Sequence, residues 1–487
     1  MVKLTNKIFE VMNMEKYTFN FKNHFLYAIL LSIILNLLLQ VYMGDWTYDD
    51  PFITYRYAEN LANGEGFVYN HGEKILSTTT PFFTILLAAL KNPFIDIPKV
   101  AIIVSLLSVS AGGLAIWMIL KKFGLNFASW FGLILYSLFP AVINTTSSET
   151  PLYIALGLFS IYFFIEEKHI PSSILSGLLV ITRPDGVLLP FILVLYYFSK
   201  EKKINFKFII GAGIIICLWF GFAWFYFGNP LPVTLMVKQS QGEMAISQLF
   251  PAGFIGLLKN YAQNKVYWIY FIISLLGIAK LSKKQYLPLW IIVSWNALYF
   301  LAYTVLGVSR YFWYYAPLVP TFILLSAAGV EWLKHVKISK VRNVIFMLLL
   351  IFTFSFQLIG LRNLRTYKDK RIETYREVGT WVSENTPFDS KIGVLEVGVI
   401  GFYSDRTMVD FAGLIQPDVA KQMKNTSTYQ ETSIWAIEHY KPNFLVLHKN
   451  FYANDIPGFL TNQCQLIQSI SGSEYEYVDM EIYKCDL

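Results

Sequence analysis

The sequence predicts an α-helical polytopic membrane protein of about eleven transmembrane helices, followed by a C-terminal α/β domain outside the membrane. Three observations carry this. First, 55% of the 487 residues are hydrophobic and only 15% charged, with a mean hydropathy of +0.45, whereas soluble domains carry roughly 25% charge. Second, apolar runs of membrane length recur from Phe25 to about Gly360. Third, the character changes at Arg362, where short apolar runs alternate with Pro and Gly.

In order along the chain, spans fall at 25–43, 100–120, 126–143, 150–165, 172–183, 186–198, 206–227, 266–280, 287–306, 313–330 and 343–361. The first starts behind Lys3, Lys7, Lys16 and Lys22 and lacks a small-x-small exit, so it reads as an anchor after a cytoplasmic stretch 1–24. Segments 172–183 and 186–198 are too short to cross separately. They read as broken helices meeting at Thr182-Arg183-Pro184-Asp185-Gly186, where Arg183 needs a counter-charge. Loops on the N-terminal side hold dense clusters, such as Lys200, Lys202, Lys203 and Lys207, while the opposite loops hold scattered ones. The positive-inside rule then places the N-terminus in the cytoplasm. The first long loop (44–99) and the tail (362–487) come outside.

In the tail, a helix-like segment Tyr375 to Glu384 precedes strand-like runs at Lys391–Leu395, Met408–Phe411 and Asn443–Leu447. That alternation predicts a small α/β domain. Cys464 and Cys485 lie on two runs flanking Ser471–Glu474. If the runs pair as a hairpin, the cysteines come nearly opposite, and a disulfide is permitted by compartment. Cys217 lies in a span and reads as inert packing.

A net charge of +7 does not point to nucleic acid in so apolar a chain with scattered cations. GxSxG, Walker A and a GxGxxG in context are absent, and the six histidines form no metal-ligand spacing. No cofactor is predicted, although a divalent cation is not excluded by the acids present. A transporter or lipid flippase with an exported sensing domain is the alternative class. It would carry its charges at the midplane and show inverted repeats, and only Arg183 and Asp185 suit that.

The most distinctive stretch is Trp46 to Phe82. Asp49 and Asp50 lie just past the first span, and Pro51 suits a helix start with Asp50 as N-cap. The helix would reach about Asn63 and end at Gly64. Asp49, Ile53 and Arg56 then share one side at i, i+4 and i+7. From these residues alone, a capped amphipathic helix on the bilayer fits as well as a catalytic element. The remaining outer loops add Glu149 just before a span, where a helix dipole would favour it. They also add Lys238 after a proline-rich, non-helical connection at 226–238, and Arg310 in an aromatic belt.

Acids Asp49, Asp50 and Glu149 with bases Arg56, Arg183, Lys238 and Arg310 suit one chemistry well. A polyprenyl-phosphate sugar keeps its tail in the bilayer and its phosphate at the surface. Cations stabilise the departing phosphate, and one carboxylate takes the proton from the acceptor hydroxyl. One acid suffices, because the phosphate needs no protonation to leave; glycosidases need two.

The stretch Asp49–Asn70, with Gly72-Glu73 and Thr80-Pro81, resembles the first outer loop of the GT-C membrane glycosyltransferases. It is most similar to terminal arabinofuranosyltransferases of mycobacterial cell walls. Ser148–Tyr153, Thr182–Gly186, Gly228–Thr234 with Lys238, Arg310–Phe312 with Pro317, and parts of the tail resemble that group too. The resemblance implies a GT-C fold and an inverting transferase. It would move a sugar from a polyprenyl-phosphate donor to a glycan, lipid or protein acceptor on the outer membrane face. Asp49 would be the base, Asp50 an orienting neighbour, and Lys238, Arg183 and Arg310 phosphate contacts. The group usually has a small residue where this chain has Pro51.

Overall fold

The structure is a computed structural model that describes residues 2–244, 247–366, 368–423, 428–449, 462–472 and 479–487, with side chains from Asn23 onward. The first span lies in α1 (Val2–Met43). Two short helices of the first long loop follow, α2 (Pro51–Ala62) and α3 (Pro81–Leu90). The bundle continues with α4 (Ile97–Lys122), α5 (Asn126–Ser137), the one-turn α6 (Pro140–Ile143), α7 (Thr150–Ile165), α8 (His169–Thr182), α9 (Leu188–Glu201) and α10 (Phe206–Phe227). Then come α11 (Val233–Glu243), α12 (Phe250–Gln263), α13 (Val266–Leu281), α14 (Trp290–Val305), α15 (Val319–Val330) and α16 (Ser339–Thr366).

All eleven predicted spans therefore coincide with helices. Among the described residues, however, six segments are long and apolar enough to cross a membrane, or seven if α12 and α13, bent by 107°, form one span. The difference lies at α5, α7, α8 and α9. The 16 residues of α7 reach about 24 Å at 1.5 Å per residue, short of a roughly 30 Å core. Tyr153, Ile154, Leu158 and Ile161 of α7 are fully buried, so it lies inside the bundle. Between α8 and α9 the break is where the sequence put it. Arg183 is extended (φ −152°, ψ 136°), and Pro184–Val187 form a single 3₁₀ turn. Gly186 passes so close to Leu179 that a Cβ would lie 2.6 Å from its carbonyl oxygen. Cys217, expected to be packed inside, is exposed on α10.

The α/β domain contains α17 (Arg371–Asn385), β1 (Lys391–Val394), α18 (Val399–Ser404), β2 (Thr407–Asp410), α19 (Pro417–Gln422), α20 (Tyr429–Tyr440), β3 (Phe444–His448), β4 (Cys464–Ile470) and β5 (Met480–Cys485). Its sheet runs β2-β1-β3-β5-β4, with β2, β1 and β3 parallel and β5 antiparallel to both β3 and β4. Buried runs such as Phe444–Leu447 fit strands covered on both faces. Cys464 and Cys485 are directly paired in register and form a disulfide. Of the turn expected at Ser471–Glu474, Ser473 and Glu474 lie outside the described residues.

One buried cluster runs from the first long loop (Phe52, Tyr57, Phe67) into the α/β domain (Ile372, Val394, Ile400, Met408). Each such side chain contributes about 1.5–3 kcal/mol by leaving water, so the domain is fixed to the loop. Segments following β1 and β2 meet the membrane domain. In open α/β sheets that strand edge is where ligands bind.

Candidate active site

Pro51 opens α2, as expected from its preset φ. Asp50 occupies the N-cap position, but with helical angles (φ −51°, ψ −41°) and no capping bond from its side chain. The turn is closed instead by Phe52 N–H to Asp49 O and Ile53 N–H to Asp50 O. The Asp50 carboxylate is thereby left to face a cavity of about 340 Å³, where it pairs with Lys238 at 3.4 Å.

Asp49 does not line that cavity. Its two oxygens accept the backbone N–H groups of Gly398 (3.1 Å) and Val399 (2.8 Å) in the α/β domain. A Cβ at position 398 would lie 2.5 Å from an Asp49 carboxylate oxygen, so the approach requires glycine. Burial and the nearby Glu396 carboxylate outweigh those two donors and push the Asp49 pKa up to about 8. The expectation that Asp49 points at substrate is therefore corrected: it points at the domain.

Arg56 is corrected in the same way. It is 2% exposed, and its guanidinium donates to the carbonyls of Tyr69 (2.8 Å), Gly401 and Arg406 (2.6 Å). Each of its three nitrogens donates to a backbone carbonyl, and Arg56 does not line the cavity that holds Lys238. Tyr69 donates to Val397 O, and the Asn70 amide exchanges two bonds with Met408 of edge strand β2. Thus Asp49, Arg56, Tyr69 and Asn70 together hold the α/β domain.

Lys238 lies on helix α11, not in the non-helical connection expected, which ends at Pro232. It is 9% exposed, and its ammonium sits 3.9 Å from the Tyr311 ring centroid and 6.0 Å from that of Trp313. Burial opposes its charge, but Asp50 and the tyrosines hold its pKa well above the ordinary lysine value. It is not a snorkelling surface lysine.

Across the cavity, Arg183 receives the counter-charge it was expected to need. It binds Asp185 (2.9 Å) and Glu149 (3.1 Å) and donates to the Tyr303 hydroxyl at 2.7 Å. Tyr303 in turn donates to Asp185 at 2.5 Å. Glu149 sits at the N-cap of α7 without capping it. Burial raises its pKa while Arg183 opposes the shift.

Arg310 is exposed, lies over Gly253 of α12, and is not in the cavity. Its aromatic neighbours are: Trp313 and Tyr314 line the wall, and Tyr48 stacks on Trp313 at 5.0 Å. The sequence reading missed those rings because an interfacial belt and a cavity wall have the same composition. It also missed Thr54, Thr78 and Thr80, whose hydroxyls lie within 3.0–3.3 Å of one another on the lining. Among the described residues no group of three or more His, Cys, Asp or Glu could hold a metal ion. Each acid of the cavity is paired with Lys238 or Arg183, and a divalent cation would have to displace one of them.

The fold is the GT-C fold. The chain is similar in structure to ArnT from Cupriavidus metallidurans bound to undecaprenyl phosphate, with a TM-score of 0.61 and 12% identity over 93% of this chain and 97% of that one. It is also similar to the oligosaccharyltransferase of Archaeoglobus fulgidus in the apo form, with a TM-score of 0.60 and 12% identity over 87% and 69% of the two chains. The same holds for AglB of that organism in complex with an inhibitory peptide and a dolichol-phosphate, at a TM-score of 0.57 and 12% identity over 88% and 69%. At such identity the likeness is one of fold. Residues 362–483 match a family described as a domain of unknown function (DUF8728). No curated protein matches the chain in sequence.

Proposed function

We propose that this protein is an inverting glycosyltransferase that moves one sugar from a polyprenyl phosphate to a glycan, lipid or protein acceptor outside the cytoplasmic membrane. The observation that carries the reading is the composition of one cavity. Val187, Leu235 and Leu306 line it and are also 50%, 38% and 42% exposed, and in this reading they form an apolar opening toward lipid. The same space reaches the buried Lys238 with the partly exposed Asp50, and the Arg183–Glu149–Asp185 group. A ligand with an apolar tail and an anionic head fits both ends.

Asp50 is the base in this reading. The acceptor hydroxyl gives its proton to Asp50 and forms a bond to the anomeric carbon. The bond from that carbon to the phosphate oxygen breaks on the opposite face, and the electron pair leaves with the phosphate. Lys238, helped by Arg183, stabilises the charge that develops there. Asp49 braces the helix start instead of performing chemistry. The similar structures of ArnT and AglB hold undecaprenyl phosphate and a dolichol-phosphate, which supports the donor class. The terminal arabinofuranosyltransferase-like resemblance would make the sugar a pentose, and the positive-inside distribution supports the outward orientation.

Purified protein incubated with labelled undecaprenyl-phosphate pentose and hexose donors tests the reading. Label should pass to an acceptor with wild type and not with Asp50→Asn. Transfer at wild-type rate by correctly inserted Asp50→Asn removes Asp50 as base, and mere lipid movement without bond cleavage favours a flippase.

A further inference from the structure

Beside the Asp50–Lys238 pair the cavity wall carries hydroxyl groups. On α2, Thr54 lies one turn after Asp50; on α11, Thr234 lies one turn before Lys238, and all four line the cavity. Residues one turn apart on a helix face are separated by about 5–6 Å. The segment Ser77-Thr78-Thr79-Thr80, also on the wall, joins the two helices. The Val233 N–H at the start of α11 donates to Leu76 O at 2.9 Å. The Thr54, Thr78 and Thr80 hydroxyls form a triangle with sides of 3.0–3.3 Å. Three hydroxyls carry three donors and six lone pairs. The triangle and the Thr80 N–H use the three donors and four of the lone pairs, so acceptor capacity is left over. The Thr79 side chain is half-buried and makes no hydrogen bond among the described residues. The Thr234 hydroxyl is buried and likewise without a partner among them. Such groups forgo a hydrogen bond unless a ligand or water supplies it.

We infer that this hydroxyl patch reads the ring hydroxyls of the donor's sugar, and that the sugar is a neutral one. The inference rests on the donor reading above. In that reading the anomeric carbon lies between Asp50 and the phosphate on Lys238, so the ring sits within about its own width of both. The patch, one helical turn from each, lies at that range. The acceptor needs to bring only one hydroxyl to Asp50, whereas a sugar ring presents several at once to such a surface. Hydroxyls both donate and accept, so they match sugar hydroxyls in either sense. A charged sugar fares worse. The acids and bases that line the cavity are already paired, Asp50 with Lys238, and Glu149 and Asp185 with Arg183. An amino or carboxyl group on the ring would enter this space without a counter-charge of its own. Thr54, Thr78, Thr79, Thr80 and Thr234 are thus specificity-determining residues, distinct from the charged groups that act on the proton and the phosphate.

The test isolates the sugar's share of binding, with no acceptor present. Native mass spectrometry of the full chain compares affinities for undecaprenyl phosphate and for the same lipid carrying arabinose, glucose or glucosamine. In wild type the better of the two neutral sugars should add about tenfold or more over the bare lipid, as for two or more hydrogen bonds, and glucosamine should add less. Thr54→Val and Thr79→Val keep the side-chain shape and delete the hydroxyl. Each should cut the gain from the neutral sugar by about three- to tenfold, with affinity for the bare lipid within about twofold of wild type. Thr79→Val removes no hydrogen bond within the described protein, so a folding defect does not account for its loss, and Thr79→Ser should bind as wild type. A sugar-dependent gain unchanged in both Val variants overturns the inference with the donor reading intact. So does equal weakening of the bare and the sugar-bearing lipids, or a glucosamine lipid that binds as well as the neutral ones. Failure of the wild-type protein to bind undecaprenyl phosphate overturns the donor reading and this inference together.

Discussion

The carboxylate of Asp49 accepts the backbone N–H of Val399 at 2.8 Å across 350 residues of chain, while Asp50 faces Lys238 at 3.4 Å. Successive residues at a helix start point about 100° apart, so two adjacent acids cannot both enter one cavity. One couples the helix to the α/β domain and the other is aimed by that coupling.

The two acids should therefore fail differently. Asp50→Asn should lower transfer by about 10²–10⁴, the usual contribution of a general base, with undecaprenyl phosphate binding and thermal stability close to wild type. Asp49→Asn replaces an acceptor with an N–H₂ group facing two N–H donors. It should cost about 1–3 kcal/mol of stability and expose the junction to protease. If Asp49→Asn abolished transfer at unchanged stability, Asp49 would be restored as the base.

Much of this was legible beforehand. Apolar run length located the helices, and Pro184 and Gly186 located the break, because both effects are local. Asp49 and Arg56 both reach the 398–401 segment, as a shared side would have them, although α2 begins only at Pro51 and Asp49 lies before it. What that side faces was not legible, since Gly401, which accepts from Arg56, is 345 residues away. The first-loop motif is distinctive in large part because it grips a domain, and a docking surface uses the same charged residues as a phosphate site. Arg310 misled for a related reason: it sits beside Tyr311, which covers Lys238, yet its own side chain turns toward α12.

Lys238 and Arg310 consequently separate two readings of the outer cations. Lys238→Gln leaves Asp50 without its buried partner and removes the cation nearest the base. A charge-assisted contact to phosphate is worth about 1.5–3 kcal/mol, so undecaprenyl phosphate affinity should fall at least about tenfold. Arg310→Ala, at an exposed site outside the cavity, should change affinity less than about twofold. Equal losses in both variants would show that Arg310 reaches the phosphate after all.

Gly398→Ala tests the docking contact from the other side. The added Cβ would lie 2.1 Å from the Asp49 carbonyl oxygen and 2.5 Å from its carboxylate. Backbone cannot yield as a flexible side chain does, so the loop and α18 must separate. Overpacking of this kind costs about 1–3 kcal/mol. The melting temperature should fall and kcat should drop, while the membrane domain still binds undecaprenyl phosphate. An unchanged melting temperature would mean that the contact at Asp49 does not hold the domain.

The same contact gives a pH dependence with a definite sign. Burial first, and then the Glu396 carboxylate, raise the Asp49 pKa from the ordinary 3.8 to about 8. A carboxyl with a raised pKa binds its proton more tightly folded than unfolded. Its contribution to stability is therefore complete below about pH 4 and is lost as pH rises through about 8. The loss is progressive, because the unfolded chain releases that proton well before the folded one does. Above pH 8 a charged Asp49 sits beside Glu396, and the two N–H donors of Gly398 and Val399 only partly compensate. Unfolding midpoints measured from pH 5 to 9 should decline toward the alkaline end. Glu396→Gln removes the like charge and lowers the Asp49 pKa, so it should flatten that decline. Asp49→Asn should abolish its share altogether. A decline of equal slope in wild type and Glu396→Gln would show that Glu396 does not act on Asp49, leaving burial and the Asp50 charge as the causes of the shift.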